Sequence, residues 1–206
     1  MRRTTALLAA LVLAAGVSAC STEDEAPTGV EASQEAGGEE ASDEALPQEV
    51  VAMLDGYDVA GQDVRQAIAT LDQVDQARPL AFQGSVRGEE VLFSDGTQEV
   101  SVPIPGDEVY VSIAPFVQQT HECHFHALGS CQGEMVEETV QVTITDADGQ
   151  TLVDEEVTTY ANGFVGFWLP KGEQGTVAIT QGDLSGETTF DTGPEGATCI
   201  TTLQLT

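Results

Sequence analysis

Val140-Gln141-Val142-Thr143-Ile144-Thr145 alternates apolar and polar side chains, and Asp146-Ala147-Asp148-Gly149 follows directly. A period of two puts the three aliphatic residues on one face of a strand and the polar residues on the other. The Asp/Gly cluster reads as turn chemistry. It lacks the EF-hand loop pattern, so a turn, not calcium binding, is the reading for Asp146 and Asp148. Thr151 to Thr158 returns as a second strand. The rhythm continues with a turn at Tyr160 to Gly163 and a buried strand, Phe164 to Leu169, carrying Trp168. Pro170 to Gly175 turns, Thr176 to Thr180 and Glu187 to Phe190 are strands, and Cys199 to Leu205 is a closing strand. Short strands with polar turns at this spacing describe an antiparallel β-sandwich-like domain over residues 116–206.

Upstream of this domain, Asp107 to Pro115 alternates, with Val109, Val111 and Ile113 facing one way. Val91 to Phe93 and Glu99 to Ile104 flank Ser94-Asp95-Gly96-Thr97, a hairpin signal. Before them the period changes from two to that of a helix. Leu46, Val50, Val51 and Leu54 form one apolar stripe, with Pro47 suited to the first turn and Gly56 as the stop. A second helix is expected from about Gly61, carrying Val64, Ile68, Leu71 and Val74 on one face. Asp63 suits its positive end, and Arg78-Pro79 is expected to end it. Residues 46–115 therefore form a small N-terminal helical, α+β portion. The fold class is mainly β, α+β overall.

The first 45 residues have a different character. Met1 to Ala19 read as a signal peptide, with Arg2 and Arg3 before an apolar run, Ala6 to Val17, too short to span a bilayer. Val17-Ser18-Ala19-Cys20 resembles the bacterial lipobox, which implies that Cys20 is lipidated and becomes the new N-terminus. Residues 20–45 are rich in Glu, Ala, Ser and Gly and hold no aromatic side chain, the composition of an acidic disordered tether. The protein is expected to be extracytoplasmic and anchored to the membrane by lipid.

The formal charge is −29, from 35 acids against six bases. Without Arg2 and Arg3, only Arg65, Arg78, Arg87 and Lys171 remain as bases. Such a chain offers no basic patch for nucleic acid. H-E-x-x-H, G-x-S-x-G, phosphate-loop and C-x-x-C motifs are all absent, which weighs against the common hydrolase and thioredoxin-type chemistries.

All three histidines and two of the four cysteines sit in one segment, His121-Glu122-Cys123-His124-Phe125-His126-Ala127-Leu128-Gly129-Ser130-Cys131. Imidazole and thiolate are the ligands of soft and borderline transition metals. With Cys20 lipidated, Cys123, Cys131 and Cys199 remain, an odd number that cannot pair fully within one chain. Three ligand sets are open. The three thiolates suit Cu(I) or Zn; one histidine added to them makes a Cys₃His zinc set; or His121, His124 and His126 hold Cu(II) or Zn beside the thiols. If the segment is a hairpin, Ala127 is its midpoint and Cys123 opposes Cys131, where a disulfide is the competing arrangement. If it is extended, His121 and Cys123 share one face, and His124 and His126 the other. Met135 is a further thioether, more usual as core.

At these residues the chain resembles the CueP family of bacterial extracytoplasmic copper-binding proteins. The matching words are Cys123-His124-Phe125-His126, Cys131-Gln132-Gly133-Glu134, Thr158-Thr159-Tyr160-Ala161-Asn162-Gly163-Phe164, Trp168-Leu169-Pro170 and Thr198-Cys199-Ile200-Thr201-Thr202-Leu203. The similarity runs from about Leu46 to Thr206 and is densest in the last ninety or so residues. The resemblance implies copper sequestration or delivery outside the cytoplasm, contributing to copper tolerance. It implies Cys123, Cys131 and Cys199 as the copper ligands, with His121, His124 and His126 accessory. It also implies a two-part molecule, able to form a homodimer and to serve a copper-accepting client protein. The lipobox and the acidic tether depart from soluble members and favour local capture or handover at the membrane. The expected function is therefore that of a copper-binding lipoprotein that takes Cu(I), or Zn, and is not an enzyme. The alternatives are a thiol–disulfide redox protein with incidental metal binding, or a Zn-binding surface protein.

Overall fold

A computed structural model describes residues 44–206. The signal peptide, Cys20 and nearly all of the tether lie outside the described residues. Two short helices, α1 (Gln48–Met53) and α2 (Val64–Asp72), precede β1 (Gln83–Val86), β2 (Glu90–Ser94), β3 (Glu99–Pro103) and β4 (Glu108–Ile113). Then follow β5 (His126–Ala127), β6 (Thr139–Asp146), β7 (Thr151–Thr158), β8 (Val165–Pro170), β9 (Gln174–Gln181), β10 (Leu184–Asp191) and β11 (Cys199–Ile200). They make three sheets, ordered β3-β2-β1-β5, β10-β9-β6-β7 and β11-β4-β8. The fold is mainly β, with both helices in the N-terminal part.

The β6 alternation does what its sequence requires. Val140, Val142 and Ile144 face a core shared with Val177 and Ile179 of β9 and Phe190 of β10. The other wall of that core is Val109, Val111 and Ile113 of β4, Val165 and Leu169 of β8, and Ile200. Asp146 accepts hydrogen bonds from the backbone of Asp148 and Gln150 at 3.0 and 2.8 Å, which makes it a turn residue. Strand β4 has no solvent face. Its odd-numbered aliphatics enter the sandwich core, while Tyr110 joins a second core with Val50, Ile68, Leu71, Val91 and Phe93. One strand thus serves both cores.

Four expectations are corrected. Helix α2 ends at Asp72, well before Arg78-Pro79, because Arg78 folds back and its guanidinium donates to the Asp72 carbonyl at 3.2 Å. That bond satisfies one of the carbonyls a helix leaves open at its end. At the other end, Asp63 and Gln66 form the reciprocal capping box, worth about 1 kcal/mol. The last strand is only Cys199–Ile200, and it pairs parallel to β4, so the sheets are not wholly antiparallel. Beyond it the chain bonds to Phe116 instead, through Leu203 and Leu205. Trp168 is half-buried, with the Arg65 guanidinium 3.9 Å over its ring. The 123–131 segment is not a hairpin, since β5 pairs with β1.

Gly163 holds two loops together. Its φ is +77°, and a Cβ there would lie 2.7 Å from the backbone of Gly133, whose N–H bonds to the Asn162 carbonyl at 2.7 Å. Gly149 has a similar φ of +81° but open space around it. Gly149→Ala should therefore cost only the dihedral strain, on the order of 1 kcal/mol. Gly163→Ala should cost clearly more, seen as a larger fall in the urea midpoint at unchanged slope.

Candidate metal centre

The cysteine/histidine segment is held at both flanks. Ahead of it, the Glu134 carboxylate accepts the backbone N–H groups of Val117, Gln118 and Gln119 at 2.8, 2.9 and 3.1 Å. Those three bonds hold its carboxyl below the usual range. Thr120 Oγ1 donates to the Thr201 carbonyl at 2.6 Å. Behind it, β5 lies against β1, and Ser130 and Cys131 both bond back to the Ala127 carbonyl. The final strand is locked on by Thr198 and Cys199, whose N–H groups donate to the His124 carbonyl. Thr198 Oγ1 accepts from His126 N–H at 2.9 Å and donates to the Val86 carbonyl at 2.6 Å.

These anchors bring the three cysteines together. Cys123 Sγ and Cys131 Sγ are 3.5 Å apart, and all three thiols are unbridged. Cys131 and Cys199 are buried, and Cys123 is half-buried at the edge of the cluster. Phe164, Ala114 and Ala127 pack around them. Contacts from Cys123 and then Cys199, with His126 beyond, hold the Cys131 thiol far below its ordinary range. Contact with Cys131 pushes the Cys123 thiol up to about 12, and contacts with Cys123 and Cys131 push the Cys199 thiol up.

The histidines separate. His126 is fully buried, and its Nε2 lies 2.8 Å from Asp72 Oδ1. His124 is exposed and packs edge-on against Phe125. The expected shared face fails because the chain bends at His124 and Phe125 before β5 turns His126 inward. His121 and Cys123 do stay together, on the wall of an open cleft of about 710 Å³ lined also by Phe116, Thr120, Glu122, His124, Thr201 and Thr202. Two groups of donor atoms lie within 4.8 Å of one another: His126, Cys131 and Cys199, all buried, and His121, Cys123 and Cys131, which reach from the exposed surface inward.

The residue behind the inner group was not legible as functional. Asp72, at the end of α2, is buried with no exposed surface. Besides His126, its carboxylate accepts from Tyr110 Oη at 2.7 Å, Asn162 Nδ2 at 2.7 Å and Ser112 Oγ at 3.2 Å. Burial pushes this carboxyl up, but the adjacent His126 charge and the hydrogen bonds outweigh it and leave it lowered. Burial likewise pushes His126 down, and Asp72 outweighs it, raising the imidazole to about 9. An ionised carboxylate only accepts, so Nε2 donates in this pair. With the imidazole raised to about 9, both ring nitrogens carry protons at neutral pH without a metal, and Nδ1, buried without a hydrogen-bond partner, is the one that would give up its proton to a metal. An orphaned buried nitrogen beside two sulfurs, oriented by a carboxylate behind it, is the arrangement that metal-binding histidines adopt. Donors of this softness fit copper, and the site holds no carboxylate oxygen that would favour a hard cation.

Comparison with known proteins agrees. A family described as Periplasmic copper-binding protein CueP matches residues 66–204. The chain belongs to the CueP family. The crystal structure of S.CueP is 35% identical, with a TM-score of 0.73, covering 78% of this chain and 99% of that one. Among curated proteins, no relative matches. CueP proteins bind copper and are not enzymes, and the cluster of histidine and three cysteines in this member is of a kind that holds a metal. The CueP words quoted above include Asn162 and Thr198, which proves to be where the support of the site lies. Asp72 falls in the region where the resemblance is sparse.

Two outcomes follow from the supporting contacts. Asp72→Ala leaves the His126, Tyr110 and Asn162 donors unpaired in the interior, and should lower unfolding free energy by about 3–5 kcal/mol in urea titration. The Glu134 bonds are complete above the ordinary carboxylate range and are lost as pH falls through its lowered value. Amide protection at Val117, Gln118 and Gln119 should therefore persist through the ordinary carboxylate range and drop only at more acid pH. Glu134→Gln should show the same loss at neutral pH.

Proposed function

We propose that this CueP-family chain holds Cu(I) outside the cytoplasm through Cys123, Cys131 and Cys199, with Nδ1 of His126 as the nitrogen at its inner side. The observation that carries this reading is the convergence of three unbridged thiols on one apolar pocket, with the His126 ring beside two of them. Cu(I) prefers sulfur and accepts low coordination numbers. A buried site that excludes water also shields the metal from oxidants. Zn is the competing ion, since three sulfurs and one imidazole make a Cys₃His set.

The lipobox and acidic tether support a lipoprotein held by Cys20 at the membrane, where it sequesters copper or hands it to a client and so contributes to copper tolerance. The described residues carry no basic surface for nucleic acid. Arg65 pairs with Glu108 at 2.6 Å, Arg87 with Glu90 at 3.5 Å, Arg78 bonds to the Cys131 carbonyl, and Lys171 bonds to the Gly106 carbonyl.

The test is a thiol count on reduced, anaerobic protein with and without one equivalent of Cu(I), together with Cys199→Ser. Three thiols should be protected together, and the variant should lose more than the 10–100-fold or so that an outer-shell partner is worth. Parental Cu(I) affinity in Cys199→Ser would sink the three-sulfur site. Displacement of Cu(I) by equimolar Zn would assign the site to zinc.

A further inference from the structure

The inner and outer donor groups meet at Cys131. Cys123 belongs to the outer group and touches Cys131 at 3.5 Å. The proposed copper site therefore shares Cys123 and Cys131 with the outer group and has Cys199 and His126 in place of His121. His121 is exposed on the cleft wall, Cys123 is half-buried, and Cys131 and Cys199 are buried. Depth increases in the order in which an incoming ion would meet them. One aromatic ring spans the step, since Phe164 lies 6.2 Å from the His121 ring and 4.8 Å from the His126 ring, centroid to centroid. The His121 loop is pinned by Glu134 and Thr120, so the imidazole is already placed beside the sulfurs.

We propose that His121, Cys123 and Cys131 form a receiving site through which Cu(I) is loaded and released, resting on the copper-holding reading above. Copper arrives in the cleft bound to a donor molecule, and its bonds to that donor break as His121 nitrogen and the Cys131 sulfur bind it, with Cys123 joining. The His121–Cu bond then breaks as the Cys199–Cu and His126 Nδ1–Cu bonds form, the imidazole releasing its Nδ1 proton to water. Copper stays Cu(I) throughout, no disulfide forms, and each thiol gives its proton to water as its sulfur binds. Two sulfurs never let go, so the ion crosses from surface to interior without passing free through water. Release runs the same exchange backwards. His121 is then a ligand of the transfer and not of the resting complex, which separates rate from affinity.

The experiment presents Cu(I) as its bis-bicinchoninate complex to the reduced chain and follows loss of the chelate colour by stopped flow. His121→Ala should slow loading by about tenfold while the equilibrium Cu(I) affinity moves less than about threefold. Cys199→Ser should keep a fast phase of uptake at reduced amplitude and surrender copper to added chelator faster. Adding His121→Ala to that variant should abolish the fast phase. Parental loading by His121→Ala, or a loss of affinity as large as the loss of rate, overturns the receiving site alone. A parent chain that takes up no Cu(I) overturns the copper-holding reading and this one with it.

Discussion

The buried contact between Asp72 and His126 is the constraint on which the rest of the site depends. A carboxylate with no exposed surface needs every lone pair occupied, and here four side chains from three parts of the chain occupy them. Tyr110 and Ser112 come from β4, His126 from β5 and Asn162 from the turn before β8. The helix that supplies Asp72 is thereby tied to the strands around the sulfurs. A charge in this position costs desolvation that hydrophobic packing would not, so its value lies in specifying geometry. It fixes the orientation of the His126 ring, and it leaves Nδ1 buried without a hydrogen-bond partner.

Around that contact the fold is arranged as two cores with β4 between them. Its odd positions belong to the sandwich, and its even positions to the helices and to Asp72. The parallel pairing of Cys199 and Ile200 with Ser112 and Ile113 brings the end of the chain to the same strand. The proposed copper ligands are thus held by pieces distant in sequence, each anchored by backbone bonds. A site so held is preorganised, and its sulfurs sit together before any metal arrives.

Much of this was legible. Strand alternation from Val140 to Ile144, the hairpin at Asp95-Gly96 and the place of Asp63 at the positive end of its helix rest on local rules of period, turn chemistry and helix charge, and local rules survive folding. The helix limit at Asp72 was not, because Arg78 supplies its terminal bond from outside any periodic pattern. Nor was the inward turn of His126, since alternation presumes an extended segment and the chain bends at His124. Asp72 itself carried no signal. An aspartate at the end of an amphipathic helix is ordinarily a solvated residue, and only the packing of other elements buries it.

By itself the sequence determined the chemistry on offer: four cysteines, three imidazoles, a strongly acidic body and a mainly β framework. Residue type and short-range spacing are sufficient for that. Which imidazole turns inward, how the thiols are brought together and which carboxylate stands behind His126 were decided by tertiary structure alone. Those properties are set by burial and by contacts shorter than 4 Å, among them ones between residues tens of positions apart. No periodicity along the chain encodes them.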